Sequence, residues 1–380
     1  MFLTIFVFTS ISLFTTIALK YFFYPYIWLS FYWGIHFLYL VLKTRIHLLR
    51  IVLSNLAVLL FCLGSMEILA AAINVRHEKI EMFYNHQMLD EILGTAPEKG
   101  KSIRSREYYD NQLVYDVTYT IDKMGLRITP EFGIPFHEEA VLFFGCSFTF
   151  GEGLEDHETM PSLVGTLSKS KVYNFAFVGY GPHQMLSALE HGLVDSIVDC
   201  RPKYAIYQTS IFHVQRSVGN PSWTHHGPKY VLSPDGTPKY SGHFDDSPII
   251  RRKNYFLEKS SIYKTFFENH YHLNKKDIDL YTSIVVESKR KLVKKYPGLE
   301  FHILYWTSWS GKEKTMDEVI LERFRQEGIK IHMVKENILP GYFKSPFKYQ
   351  ISIHNVHPNF LTNKYLADYI VQNILKKSTA

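Results

Sequence analysis

The chain has 380 residues, a net charge of +6 and three cysteines. That length accommodates one large domain with an appendage, or two domains. Three cysteines exclude a disulfide framework, and the modest charge, with no matching motif, argues against a nucleic-acid binder.

Charge is unevenly spread along the chain. Phe2–Ile73 carries only Lys20, Lys43, Arg45, Arg50 and Glu67. Its apolar stretches Phe2–Leu19, Tyr21–Leu42 and Ile51–Ile73 are each long enough to cross a hydrocarbon core of about 30 Å. The first lacks the basic start and small-residue cleavage site of a signal peptide, which favours a retained helix. Lys43, Arg45 and Arg50 mark the connection before the third span as cytoplasmic, so everything after Asn74 emerges on the far side. Tyr21, Tyr24, Tyr26 and Trp28 then fall at the outer interface. Glu67, near the outer end of the third span, is expected to reach the headgroups or to pair within the bundle.

Asn74–Leu93 continues as a polar, helix-compatible stalk. Leu113–Ile121 has the Val, Tyr and Thr content of a strand, and Pro130–His137 reads as a linker. Val141–Phe144 is an apolar run that ends at Gly145, as a buried strand opening into a tight turn does. Beyond it the pattern alternates. A helix is expected at Pro161–Leu167, a strand at Val172–Val178, a helix at Gln184–Ile197 and a strand at Tyr204–Thr209. After an insertion come helices at Asp277–Tyr296, Met316–Glu327 and Thr362–Leu375, with strands at Glu300–Trp306 and Ile329–Val334. This order predicts an α/β fold with a doubly wound, flavodoxin-like parallel sheet, preceded by a three-helix transmembrane region. The expected domains are 1–73 (membrane helices), 74–139 (stalk and small β-containing linker) and 140–380 (the α/β domain). An insertion at about 217–254 carries a hairpin around Pro234-Asp235-Gly236.

Ser147, just past the first sheet strand, has two readings. It can be an N-cap that satisfies helix donors, or a nucleophile at the carboxyl end of a parallel sheet. Gly179 ends a strand in a glycine-rich turn where a backbone N–H can approach a ligand. His357, before the last helix, is a candidate base near pH 7. Cys146 is either a thiol nucleophile or a small packing residue. The pairs His225-His226, His270 with His272, and His354 with His357 lack the spacing of a zinc site, so neither metal nor cofactor is expected.

Three blocks together resemble the SGNH (GDSL-like) hydrolases, over roughly Ala140–Leu375. They are Gly145-Cys146-Ser147 followed by Phe148-Thr149-Phe150-Gly151, then Asn174–Gly179, then His357-Pro358-Asn359. The resemblance implies Ser147 as nucleophile, His357 as general base, and the N–H groups of Ser147 and Gly179 as oxyanion donors. The chain departs from the family at two places. Ser210-Ile211-Phe212-His213 stands where an asparagine donor is expected, which leaves His213 as substitute donor, with Arg216 one turn on. Asn355 and His354 stand where an aspartate would orient the histidine.

Two functional readings follow. One is a serine-dependent acyl ester hydrolase or O-acyltransferase, working outside the cytoplasm on an envelope glycan or lipid-linked ester. The other is a catalytically degenerate glycan-binding or assembly subunit on the same fold. In both, the chain is a multi-pass protein of the cytoplasmic membrane with its C-terminal domain outside. Membrane lipid is one partner, and more than one spanning helix leaves room for a membrane-protein partner.

Overall fold

The computed structural model describes residues 25–75, 87–130, 140–267, 271–309 and 311–377. The chain forms two compact units, one of Met1–Glu78 with Ser247–His272, the other of Lys79–Asp246 with Leu273–Ala380.

The first unit holds two apolar helices, Pro25–Lys43 and His47–Val75. The expected span Phe2–Leu19 lies outside the described residues; among the described residues, two of the three expected apolar helices are found. Gly34 and Gly64 set their packing, because a Cβ at either would press on the ring of Phe61 or Phe31. Small residues let helix backbones approach closely. Leu38, Leu42, Ile51, Val58, Leu59 and Leu69 remain exposed within this unit, unlike the core helices of a water-soluble fold. Both helices are long and apolar enough to cross a membrane.

The second unit is built on a five-stranded parallel sheet. Its strands are β5 (Ala140–Phe144), β6 (Lys171–Asn174), β7 (Pro202–Ser210), β10 (Glu300–Trp306) and β11 (Lys330–Met333), in the order β11-β10-β7-β5-β6. Numbered within the sheet this is 2-1-3-4-5, the flavodoxin-like order, whose switch point lies where β5 separates β6 from β7. Side chains alternate between two cores. Leu142, Phe144, Tyr207 and Ile303 face one, while Val141, Phe143, Ile206 and Leu304 face the other. A strand covered on both faces reads as a continuous apolar run, which is why β5 was legible.

Element boundaries shift for local reasons. The helix expected over Gln184–Ile197 is two, Pro182–Glu190 and Leu193–Ile197, interrupted at Gly192 with φ +72°. The strand expected to reach Val178 stops at Asn174, whose side chain turns back to accept from the Ala176 N–H at 3.2 Å. The last helix is Phe360–Tyr369, capped by Asn359, with a wider turn over Ile370–Ile374. The hairpin of the insertion is β8 (Pro228–Leu232) with β9 (Pro238–His243).

Ahead of the sheet the structure departs further from the sequence expectation. The end of the expected stalk is a strand, β1 (Gln87–Asp90), paired with β2 (Gly94–Pro97). The strand read at Leu113–Ile121 is β4 (Gln112–Thr120), paired antiparallel with β3 (Ser102–Tyr109). Ile103, Tyr115, Val117 and Tyr119 of this hairpin share a core with Phe144, Phe150 and Phe177. Residues 87–130 therefore belong to the body of the α/β unit; the part of the linker at 131–139 lies outside the described residues.

Arg127 ties this hairpin region to the segment after β5. Its guanidinium, fully shielded from solvent, lies over the rings of Tyr119 and Phe150 at 4.5 and 4.9 Å. It donates to the carbonyls of Phe150, Gly151 and Leu154 at 2.6–2.8 Å and to Asp156 at 2.8 Å. Removing one partner of a buried charged network leaves the others unsatisfied, at a cost of about 3–5 kcal/mol. Arg127→Leu is expected to lower the urea unfolding free energy of the α/β unit by about that amount.

Candidate active site

The turn after β5 fixes where Ser147 stands. A Cβ on Gly145 would lie 2.2 Å from Thr149 Oγ1, so only glycine allows the chain to turn this tightly. Thr149 in turn donates to Gln208 on β7 at 2.7 Å, and Asn174 on β6 donates to the Thr149 carbonyl at 3.3 Å. Three neighbouring strands thereby hold one helical turn, Ser147–Phe150. Gly179 adopts φ +79°, a left-handed conformation that favours glycine. A Cβ there would also press on the Trp223 indole at 3.1 Å.

His357 arrives from the far end of the sequence. Its loop is shaped by Ser352, whose hydroxyl accepts from the N–H groups of His354 and Asn355 at 3.1 and 3.0 Å. The Ile351 N–H closes the loop on the His357 carbonyl at 2.9 Å. The imidazole Nε2 then lies 2.9 Å from Ser147 Oγ, within hydrogen-bond reach.

The other imidazole nitrogen, Nδ1, lies 2.8 Å from Asn355 Oδ1. Asn355 also accepts from the His357 N–H at 2.9 Å, and its Nδ2 donates to the carboxylate of Glu107 on β3. An ionised carboxylate only accepts, so Glu107 requires the amide nitrogen of Asn355 to face it. The amide oxygen must then face His357 and Nδ1 carries a proton, so in the neutral imidazole the lone pair on Nε2 faces Ser147. Glu107 is 4 % exposed and Asn355 5 %. His354 takes no part in this chain of bonds; its ring stacks on Tyr109 with centroids 3.4 Å apart.

A second acid meets the imidazole from the opposite side. Glu152 Oε2 lies 3.2 Å from His357 Nε2, the same nitrogen that faces Ser147. Burial alone would lower the His357 pKa, but Glu152, then Glu107, outweigh it and hold the pKa above its ordinary value, against an opposing effect of Arg216. Both carboxylates favour the imidazolium.

Ser147, Gly179, Glu152, His357, Arg216 and Trp223 line one cavity of ≈ 250 Å³. His213 is not among its lining residues. It is buried, with Nδ1 2.6 Å from the Tyr207 hydroxyl and Nε2 3.3 Å from Arg216, and burial and then Arg216 drive its pKa well down. The structure therefore corrects the placement read from sequence: the cation one turn on, Arg216, reaches the cavity in its stead. Arg216 is held by the Tyr180 carbonyl at 2.6 Å. Cys146 is buried and does not line the cavity either. Among the described residues no group of His, Cys, Asp and Glu converges as metal ligands would.

Sequence reasoning had not found Glu107, Glu152 or Arg127. A glycine on each side of Glu152, five residues past Ser147, was the one local signal; Glu107 lies in a hairpin with no sequence tie to the histidine.

No family model matches the chain, and no curated sequence matches it. Some solved structures match in part. The acetyl xylan esterase Est2A of Butyrivibrio proteoclasticus is 14 % identical over 64 % of this chain and 65 % of its own, with a TM-score of 0.38. A family two carbohydrate esterase from Cellvibrio japonicus is 12 % identical over 66 % and 64 %, TM-score 0.37. A protein assigned to the G-D-S-L lipolytic family from Desulfitobacterium hafniense DCB-2 is 11 % identical over 61 % and 98 %, TM-score 0.33. The chain thus spans just under two thirds of the length of the two esterases. The sheet order itself is the flavodoxin-like one, with Ser147 and His357 meeting beyond the carboxyl end of β5.

A general base acts in its neutral form, so a raised pKa moves the rise of activity with pH upward. Glu152→Gln and Glu107→Gln are both expected to move the acid limb of the kcat/KM profile to lower pH, Glu152→Gln by more. Asn355→Leu, which frees the tautomer, is expected to lower kcat by about 10²–10⁴ with KM little changed. Steady-state kinetics against pH on a short-chain aryl ester measures all three.

Proposed function

We propose that the chain is a serine-dependent esterase or acyl-transfer enzyme for short acyl esters, anchored in a membrane by its N-terminal helices. The observation that carries this reading is the 2.9 Å approach of His357 Nε2 to Ser147 Oγ, with the opposite imidazole nitrogen held by Asn355 and, behind it, Glu107. The absence of an aspartate before His357 had favoured a degenerate site. A neutral amide backed by a buried carboxylate answers that objection, because it fixes the tautomer and brings a negative charge close to the imidazolium. Amides serve as orienting groups in Cys-His-Asn sites of other folds.

The chemistry runs as acyl transfer does elsewhere. Ser147 Oγ attacks the ester carbonyl as its proton passes to His357 Nε2. The tetrahedral oxyanion forms against the Ser147 and Gly179 N–H groups, and the Arg216 guanidinium adds positive charge where the negative charge develops. Nε2–H protonates the departing alkoxide and the acyl group stays on Ser147. Water, or a sugar hydroxyl, then attacks the acyl-enzyme as Nε2 takes its proton, and Ser147 is restored. Glu152 stabilises the imidazolium in both halves.

The cavity is smaller than the roughly 300–1,000 Å³ that holds a drug-sized ligand. That size supports a short acyl group and part of its carrier over a long lipid chain. Exposed Trp223 beside Gly179 offers a flat apolar face on which a sugar ring can stack. Such a face supports an envelope glycan as acceptor or donor. Two exposed apolar helices, with cations between them, support a cytoplasmic-membrane location with the body outside.

A fluorophosphonate probe is expected to label Ser147 in folded protein. Ser147→Ala is expected to abolish labelling and to lower ester turnover by about 10³-fold or more, while Cys146→Ala retains both. Turnover lost only in Cys146→Ala overturns the assignment. Glycan binding without any acyl chemistry would instead support the degenerate reading.

A further inference from the structure

We propose that Pro248–Phe267 is a second membrane element, a pair of short helices that lie on the bilayer surface and bind anionic phospholipid headgroups. This rests on the membrane-anchored reading of the two apolar helices. The segment interrupts the α/β chain between β9 and the helix Lys275–Lys295, yet it belongs to the compact unit of the apolar helices.

Hydrogen bonds to both apolar helices hold it there. Tyr26, in the first turn of the first apolar helix, donates its hydroxyl to the Phe256 carbonyl at 2.5 Å. Glu67, in the last third of the second, accepts from Ser260 Oγ at 2.5 Å and from the Ser261 N–H at 2.7 Å. Ser260 also caps the helix Ser261–Phe266 by accepting from the Tyr263 N–H. The beginning of one antiparallel helix and the end of the other are the same end of the pair. It is opposite the Lys43–Arg50 connection.

The surface that remains has the chemistry of an interfacial helix. The helix Pro248–Glu258 buries none of its eleven residues. Ile249, Ile250, Phe256 and Leu257 recur at i, i+1, i+7 and i+8, on one face, and Ile249 is 79 % exposed. Phe266 and Phe267 extend the apolar surface from the second helix. Between 247 and 267 stand Arg251, Arg252, Lys253, Lys259 and Lys264 against the single acid Glu258. Lys253 falls within the apolar face, where a long stem can lie along hydrocarbon while its ammonium reaches the headgroups. Apolar side chains and cations on one amphipathic segment, tied to the end of spanning helices, match an anionic lipid surface.

The test uses the full chain with Cys62→Ser, Cys146→Ala and Cys200→Ser, reconstituted in phosphatidylcholine vesicles with or without phosphatidylglycerol. Single cysteines at Ile249, Phe266, Leu59 or Asp235 carry an NBD fluorophore, and brominated lipids report contact. Quenching of about twofold is expected at positions 249 and 266, as at 59, with none at 235 on the β8–β9 turn. Phosphatidylglycerol is expected to strengthen it, and Arg251→Glu with Arg252→Glu and Lys253→Glu to remove that dependence. Quenching at 59 but not at 249 or 266 overturns this inference and leaves the anchoring intact. No quenching at 59 overturns the anchoring, and this inference with it. Shielding of 249 and 266 only in native membranes, not in lipid vesicles, assigns the surface to a protein partner and also overturns it.

Discussion

The Asn355 side chain, held between a buried carboxylate and an imidazole, is the constraint on which the site depends. Each of its two amide ends has one partner that can accept or donate in only one sense. Glu107 takes the N–H, so the oxygen is committed to His357. A proton is thereby fixed on Nδ1, and in the neutral imidazole the lone pair is aimed at Ser147. An aspartate in the same place would orient the ring and bring its charge directly. Here orientation comes from the amide and charge from the residue behind it, separated into two side chains from distant parts of the chain.

The second acid has a different effect because it sits elsewhere on the ring. Glu152 faces Nε2, the nitrogen that also faces the Ser147 hydroxyl. It favours the imidazolium and, with Glu107, holds the His357 pKa above its ordinary value. Its position follows from Arg127, which fastens the carbonyls on either side of it to the β3–β4 hairpin. The hairpin thus supports the site twice, through Glu107 directly and through Arg127 under the turn.

In the unit of the two apolar helices the decisive contacts are of another kind. Gly34 and Gly64 admit facing phenylalanines, and Glu67 is satisfied by a serine hydroxyl and a backbone N–H at the start of a short helix. An acid at the end of an apolar helix needs such partners, because an unpaired carboxylate there is costly.

Much of this was legible in the sequence, for a physical reason in each case. Strands buried on both faces must be continuously apolar, so β5, β7 and β10 could be read directly, and their alternation with amphipathic helices implied the parallel sheet. Turns that need glycine marked Gly145 and Gly179, and local chemistry at strand ends singled out Ser147 and His357. What the tertiary structure alone decided are the partners that lie far away in sequence. Glu107 and Asn355 are separated by 248 positions, and a carboxylate in a half-buried strand carries no local mark of the amide it will meet. His213 and Arg216 are three residues apart, and only the burial of one and the reach of the other show which faces the cavity. Periodicity and turn chemistry are local properties written in neighbouring residues; the pairing of polar groups is set by packing, which brings together residues that share no local pattern.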